Sequence, residues 1–250
     1  MSVERRAVSV VVLTGAGISA DSGLSTFRGA GGLWEGQRVE DVATPRAWAR
    51  DPALVWRFYQ LRRAGMLAVA PNDAHRALAR LERGMKAAGH GFTLVTQNVD
   101  GLHARAGSDA LEMHGSLARL RCERCGRVVP DLEHLDPQRF VPCAACGHPR
   151  LRPDVVWFEE MPFFLDEIET AALACTRFLA VGTSGVVYPA AGMLELARAG
   201  GARTFVNSLD PPENLHPGDE FLPGRAVDVI PPLVERWLAE RAGEGGVVET

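Results

Sequence analysis

Short apolar runs rich in β-branched residues alternate along the chain with longer stretches in which apolar positions recur every three or four residues. Val8–Leu13, Phe92–Thr96, Phe178–Val181, Thr204–Val206 and Val227–Ile230 are the short runs and predict strands. Pro45–Leu67, Asp73–Ala88, Phe164–Cys175, Pro189–Ala199 and Pro231–Ala242 carry the longer period and predict helices. Short strands with little polar alternation are buried on both faces, which requires a parallel sheet covered by helices. The expected class is therefore α/β, a doubly wound parallel sheet. Two stretches break the rhythm. Residues 37–90 are helical and form a first insertion; residues 121–152 are dense in cysteine, proline and charge and form a second. The sheet domain then comprises 1–36, 91–120 and 153–250.

The second insertion contains Cys122, Cys125, Cys143 and Cys146, spaced C-x2-C-x17-C-x2-C. Two such knuckles on a short excursion bring four thiolates together around a tetrahedral Zn2+. Neither knuckle contains a histidine or carboxylate, and four thiolates leave no open coordination position. The expected zinc is structural, one per chain, and makes 121–152 a zinc-binding module. Reduced zinc ligands and one further cysteine, Cys175 in an apolar helical stretch, point to a reducing cytoplasm. Cys175 reads as a small core residue, since no charged partner stands beside it in sequence. With 46% hydrophobic residues, 250 residues can bury a full core, and a net charge of −4 with interspersed signs gives no basic field for nucleic acid. Neither a signal peptide nor a transmembrane span is expected. A monomer is expected.

Leu13-Thr14-Gly15-Ala16-Gly17-Ile18-Ser19-Ala20 leaves the first strand as G-x-G-x-x-A, the Rossmann-like pattern that lets backbone approach a pyrophosphate. A dehydrogenase would run straight on into a helix. This chain instead passes through a glycine-rich loop that carries Phe27, Arg28, Leu33 and Trp34, suited to closing over a bound cofactor. The second strand opens onto Gln97-Asn98-Val99-Asp100, at the edge where open α/β sheets bind ligands. An amide and a carboxylate two residues apart can hydrogen-bond a carboxamide such as nicotinamide; an Asx-turn capping the next helix is the alternative. His114, before Gly115-Ser116, is the candidate proton acceptor near neutral pH. The third strand ends in Gly182-Thr183-Ser184-Gly185 and the fourth in Asn207, so four strand ends could line one dinucleotide.

As an ordered set, Gly15-Ala16-Gly17-Ile18-Ser19, Thr26-Phe27-Arg28-Gly29, Thr96-Gln97-Asn98-Val99-Asp100, His114-Gly115-Ser116, the four cysteines, Val155-Val156-Trp157-Phe158 and Gly182-Thr183-Ser184 resemble the sirtuins over nearly the whole chain. The resemblance implies an NAD-dependent protein-lysine deacylase in which NAD is consumed. The acyl oxygen of a modified lysine attacks the nicotinamide ribose, His114 deprotonates a ribose hydroxyl, and lysine, nicotinamide and an O-acyl-ADP-ribose result. Ala16, Gly17, Arg28, Thr183 and Ser184 would hold phosphates and ribose, with Gly15, Gly182, Asn207 and Ala226 also on the cofactor. Gln97 would orient the nicotinamide ribose. Ile18, Asn98 and Asp100 would form the nicotinamide pocket, shielded by Phe27, with Asn98 counted beside His114 as catalytic. Val156, Trp157 and Phe158 would hold the peptide as an added strand.

Tyr59 and Arg62 stand three apart in a predicted helix and share a face, and a phenol with a guanidinium fork suits a carboxylate. The residues alone allow a solvated arginine face, since Arg57 and Arg63 are near. The pair resembles the Tyr-x-x-Arg of the sirtuin class that removes succinyl, malonyl and glutaryl groups, and Ala43 resembles that class's small acyl-pocket residue. Acidic acyl groups are the expected substrate, with acetyl slower. The chain departs from the family at Glu159, usually glycine, and at Leu209, usually glutamate. An NAD glycohydrolase or ADP-ribosyltransferase on the same scaffold, an NAD-sensing zinc-ribbon module and a redox dehydrogenase are the competing readings. The first needs no acyl pocket, the second no base.

Overall fold

The computed structural model describes residues 8–25, 33–34 and 36–244. Its centre is a six-stranded parallel sheet. Strands β1 (Ser9–Thr14), β4 (Gly91–Thr96), β5 (Ala110–Glu112), β9 (Arg177–Val181), β10 (Arg203–Ser208) and β11 (Glu220–Pro223) stand in the order β11-β10-β9-β1-β4-β5. The order reverses between β1 and β9, which gives a doubly wound sheet a crevice at that point. A small hairpin, β2 (Leu33–Trp34) with β3 (Gln37–Arg38), and an antiparallel trio, β6 (Gly115–Arg121), β7 (Val128–Pro130) and β8 (Arg152–Val155), complete the strands.

Val10 and Val12 of β1 face one apolar cluster and Val11 and Leu13 another, so the strand is buried on both sides. Helices α4 (Asp73–Ala87) and α8 (Ala226–Glu244) cover the first face through Leu78, Leu81, Ile230, Val234 and Trp237. Helices α6 (Leu165–Ala174) and α7 (Met193–Ala199) cover the second, where Cys175 is buried as expected of a core residue. A third cluster joins Val42, Trp48, Val55, Trp56 and Tyr59 to Leu117, Cys122, Cys143, Val155 and Trp157. Here α1 (Val39–Val42), α2 (Pro45–Arg50) and α3 (Pro52–Leu67) pack on the trio and the cysteine knuckles as a body of their own. Within the stretch 37–90, α4 thus belongs to the sheet and only the helices before it to this second cluster. Short α5 (Leu102–Arg105) follows β4. No helix of the described residues is long and apolar enough to cross a membrane.

Two expectations are corrected. Val227–Ile230 is the opening of α8, and the sixth strand lies just before it at Glu220–Pro223, paired with Phe205–Ser208. Ala226, Ile230, Leu233, Val234 and Trp237 are buried at helical spacing, so burial of one stripe outweighs the strand preference of a β-branched run and two interior prolines, Pro231 and Pro232. Pro45–Leu67 is two helices. Asp51 ends α2 and caps α3, its carboxylate accepting from Leu54 N at 2.9 Å, and Pro52 opens the new helix. A residue before proline is driven out of helical backbone, and Asp-Pro is a good start signal.

Candidate active site

Register brings the carboxyl ends of the central strands level. Thr14 pairs with Thr96 and with Val181, and beyond them Gly15 N donates to Val181 O (2.9 Å), Gln97 N to Thr14 O (2.9 Å) and Gly182 N to Asn207 O (2.8 Å). The turns after β1 and β9 are in backbone contact: Gly17 N donates to Gly182 O at 2.9 Å. A Cβ on Gly17 would lie 2.6 Å from Gly182 Cα, closer than any side chain tolerates. The floor of the crevice is therefore bare backbone, the kind of surface a pyrophosphate can approach closely.

A cavity of about 520 Å3 opens above this floor, within the range of roughly 300–1,000 Å3 for small-molecule sites. Its wall includes Gly15, Ala16, Gly17, Gln97, Asn98, Asp100, His114, Gly182, Thr183, Ser184, Asn207 and Ala226, together with Ala43, Tyr59, Arg62, Val156, Trp157 and Phe158. The candidate cofactor and substrate residues thus converge on one space. Ile18 does not join them. It is fully buried in the sheet core, and only its carbonyl is used nearby, accepting from Asn72 Nδ2 at 2.8 Å. Phe27 and Arg28 lie outside the described residues.

His114 precedes Gly115, whose backbone has φ +79° and passes so close to β8 that a Cβ would lie 2.1 Å from Asp154 O. This turn, with Val156 N donating to His114 O at 2.8 Å, fixes the histidine backbone beside the segment that follows β8. Nδ1 lies 3.1 Å from Gln97 O. A carbonyl can only accept, so Nδ1 carries the hydrogen and Nε2 is the basic nitrogen. Burial pushes His114 below the usual histidine range, against the opposing bond to Gln97, so the ring is neutral at pH 7 and can take a proton.

Beneath Asn98 and Asp100 lies a polar network that sequence reasoning did not assign. Ser19 Oγ donates to Asp100 Oδ2 at 2.7 Å and accepts from Asn98 Nδ2 at 3.2 Å, while Asn98 Nδ2 also reaches Gly15 O at 3.1 Å. Burial raises the Asp100 carboxyl, partly offset by the Leu102 N–H and Ser19. Deeper, His75 Nε2 stands 3.5 Å from Ser19 Oγ, His103 Nε2 stands 2.9 Å from Thr14 Oγ1, and the two rings are 4.8 Å apart. Burial lowers His75 to about 4 and His103 to about 3. His75 sits in a predicted helix that reads as ordinary amphipathic sequence, and His103 in the short α5, which no predicted element covers, so neither is marked as a partner of the other.

At the other end, Trp157 Nε1 donates to Tyr59 Oη at 3.0 Å, and the Arg62 guanidinium lies 5.7 Å from the Phe58 ring centre. Burial pushes the Tyr59 phenol well above its ordinary range, so it stays a neutral hydroxyl. Phe158 N donates to Ala43 O at 3.0 Å, tying the segment after β8 to the helices. Glu159 adopts φ +77° and pairs with Arg46 at the rim.

The four knuckle thiols lie with their sulfurs within 4.8 Å of one another. Cys122–Cys146 and Cys125–Cys143 separations are 3.6 and 3.7 Å. Sulfurs bound tetrahedrally at Zn–S of about 2.3 Å stand roughly 3.8 Å apart. The donor set and spacing fit zinc.

A Sir2 family model matches residues 15–189. The chain belongs to the Sir2 family. It is 48% identical over 237 residues, 94% of this chain and 99% of the relative, to an NAD-dependent protein deacylase of Caulobacter vibrioides. It is 48% identical over 236 residues, 92% and 82% of the two chains, to one of Escherichia coli K12. Among solved structures, a mutant of a Sir2 homologue in complex with ADP-ribose superposes at TM-score 0.87 with 37% identity, covering 95% and 94% of the chains. A Sir2 homolog–NAD complex gives 0.84 with 38% identity, covering 94% and 91%. Sir2Af2 bound to a myristoylated histone peptide gives 0.74 with 32% identity, covering 95% and 94%. The parallel-sheet class and the cysteine cluster of this Sir2 chain are those its sequence pattern predicts, with the edge strands β5 and β11 outside the predicted set.

Proposed function

We propose that this NAD-dependent protein deacylase of the Sir2 family prefers lysines carrying short acidic acyl groups, succinyl and malonyl, and removes acetyl more slowly. Lysine, nicotinamide and an O-acyl-ADP-ribose are the products. The observation that supports the preference is the placement of Tyr59 and Arg62 on the wall of the cavity that also holds His114 and Ala43. A neutral phenol and a guanidinium fork together suit a carboxylate at the end of the acyl chain, whereas acetyl has none to offer.

NAD, when bound, supplies an electrophilic ribose carbon as nicotinamide leaves. The backbone floor at Gly15, Gly17 and Gly182, with Thr183 and Ser184, holds its phosphates and ribose. Asn98 and Asp100 orient the carboxamide, and Gln97 the neighbouring ribose. Neutral His114 takes a hydroxyl proton at Nε2 while Gln97 O holds Nδ1–H. Val156, Trp157 and Phe158 present a backbone edge to the peptide. The four cysteines, none of which lines the cavity, would hold a structural zinc.

Succinyl-, malonyl- and acetyl-lysine forms of one peptide, incubated with NAD and followed by mass, test the reading. Wild type should show the higher kcat/KM on succinyl. Arg62→Ala should lose about 10–100-fold on succinyl, the worth of a hydrogen bond to a charged group, and little on acetyl. A higher kcat/KM on acetyl would refute the preference, and NAD loss without peptide turnover would favour a glycohydrolase.

A further inference from the structure

Arg63 follows Arg62 on α3, and a helix turns successive side chains about 100° apart. Arg62 lines the cavity, and Arg63 points away from it and is wholly buried. Its guanidinium is met on every side. Nε donates to Leu117 O at 3.0 Å, one terminal nitrogen to Gln60 Oε1 at 2.9 Å and His134 O at 3.0 Å, and the other to Asp131 O and, at 3.0 Å, Asp131 Oδ1. Leu117 belongs to β6, while Asp131 and His134 lie between the two cysteine knuckles. Asp131 is itself fixed: its Oδ1 accepts from Glu133 N and His134 N at 3.2 and 3.0 Å and its Oδ2 lies 2.8 Å from His134 Nδ1, and although burial raises its carboxyl, the bonds from His134 and Arg63 outweigh it and hold the group below the usual range.

A buried ion pair is a poor source of stability, because desolvation consumes most of its attraction; its better-attested use is to fix one arrangement. Here it joins α3, which carries Tyr59 and Arg62, to the zinc-bearing segment. We propose that Arg63 is a positioning residue for acyl selectivity: its five-fold anchorage sets the height and rotation of α3, so that Arg62 meets the end of an acidic acyl group. The inference rests on the acidic-acyl reading above. Bidentate recognition is strict in geometry, and a shift of about 1 Å can cost up to 100-fold. Acetyl carries no carboxylate for Arg62 to meet, and its turnover should depend on Gln97, Asn98 and His114, which the sheet strands and the turn at Gly115 hold. Selectivity and basal activity should therefore separate.

The test compares wild type, Arg63→Lys, Asp131→Asn and Arg62→Ala on succinyl and acetyl forms of one peptide, with metal content and near-UV circular dichroism measured on each protein. Lysine keeps the charge but loses the fork; asparagine keeps the Oδ1 acceptor for the two backbone N–H groups but loses the charge. In both, kcat/KM on succinyl should fall about 10-fold or more, chiefly through KM. Acetyl turnover should stay within about two-fold, and metal at one per chain. An unchanged succinyl-to-acetyl ratio in a folded, metal-loaded variant would overturn the proposal. So would a parallel loss of both activities, which would make Arg63 a support of the fold alone. If Arg63→Lys does not fold, Asp131→Asn decides. A wild type without acidic preference would instead bring down the substrate reading, and this inference with it.

Discussion

Acid should destabilise this protein through His75 and His103 before its carboxylates begin to protonate. Both rings are wholly buried, and their pKa values fall from about 6.5 unfolded to about 4 and about 3 folded. The charged form is thus disfavoured in the native state. The stability each histidine contributes is complete above pH 6.5 and is lost as pH falls from there toward the folded value. At 1.36 kcal/mol per pK unit, lowering the pH from 7 to 5 should cost about 2 kcal/mol for each, hence about 4 kcal/mol of a total that is typically 5–15. Urea unfolding at the two pH values, on wild type, His103→Gln and the His75→Gln/His103→Gln double variant, isolates these groups. Glutamine retains a hydrogen-bonding amide without titrating in this range. Asp100, raised by burial, acts in the opposite sense, and His114 in the same sense, but both cancel in the comparison. Wild type should lose about 2 kcal/mol more than the single variant and about 4 more than the double. Parallel losses within about 0.5 kcal/mol would refute the argument and mean that the rings are solvated or find an anionic partner when protonated.

Two further expectations concern the base and the metal. His114→Ala should reduce deacylation about 100- to 10,000-fold. Because burial lowers the wild-type imidazole, the acid limb of kcat/KM should have its midpoint below 6.5; a midpoint above 7 would refute a neutral buried base. Stripping the metal with a mercurial reagent should release one zinc per chain and alter indole fluorescence, since Trp48 donates to Glu123 between two of the knuckle cysteines at 2.6 Å and shares a core with Cys122 and Cys143. Unchanged fluorescence after full release would show that the metal does not organise this body.

The sheet was legible because β1, β4, β9 and β10 are apolar on both faces, which only a covered parallel strand requires. Its edges were not. Glu220–Pro223 has a half-exposed, mixed composition with no strand signal of its own and is recruited by backbone pairing to Phe205–Ser208. The cavity wall was largely legible because glycines, amides and the lone His114 fall at strand ends, where local sequence and topology coincide. Ile18 lines no part of the cavity for a physical reason: in the turn after β1 its apolar side chain is drawn into the core under α4 and α8, and its carbonyl accepts from Asn72. The Ser19–Asp100 and His75–His103 contacts join residues tens of positions apart and cannot be read from spacing. Nor can the anchorage of Arg63, which in sequence is one arginine among several.

The chain closes its cavity between two separate apolar interiors, one under the sheet and one shared by α1 to α3 and the cysteine-bearing segment. Side chains proposed for the acyl group, Ala43 and Tyr59, are seated in the second interior, whereas β1, β4 and β9, which lead into Gly15, Gln97 and Gly182, are seated against the sheet clusters. A mutation that repacks one interior should therefore disturb the other's contacts less than its own. Such a partition predicts that a substitution repacking the Ala43–Tyr59 interior alters which acyl group is accepted more than it alters the binding of NAD.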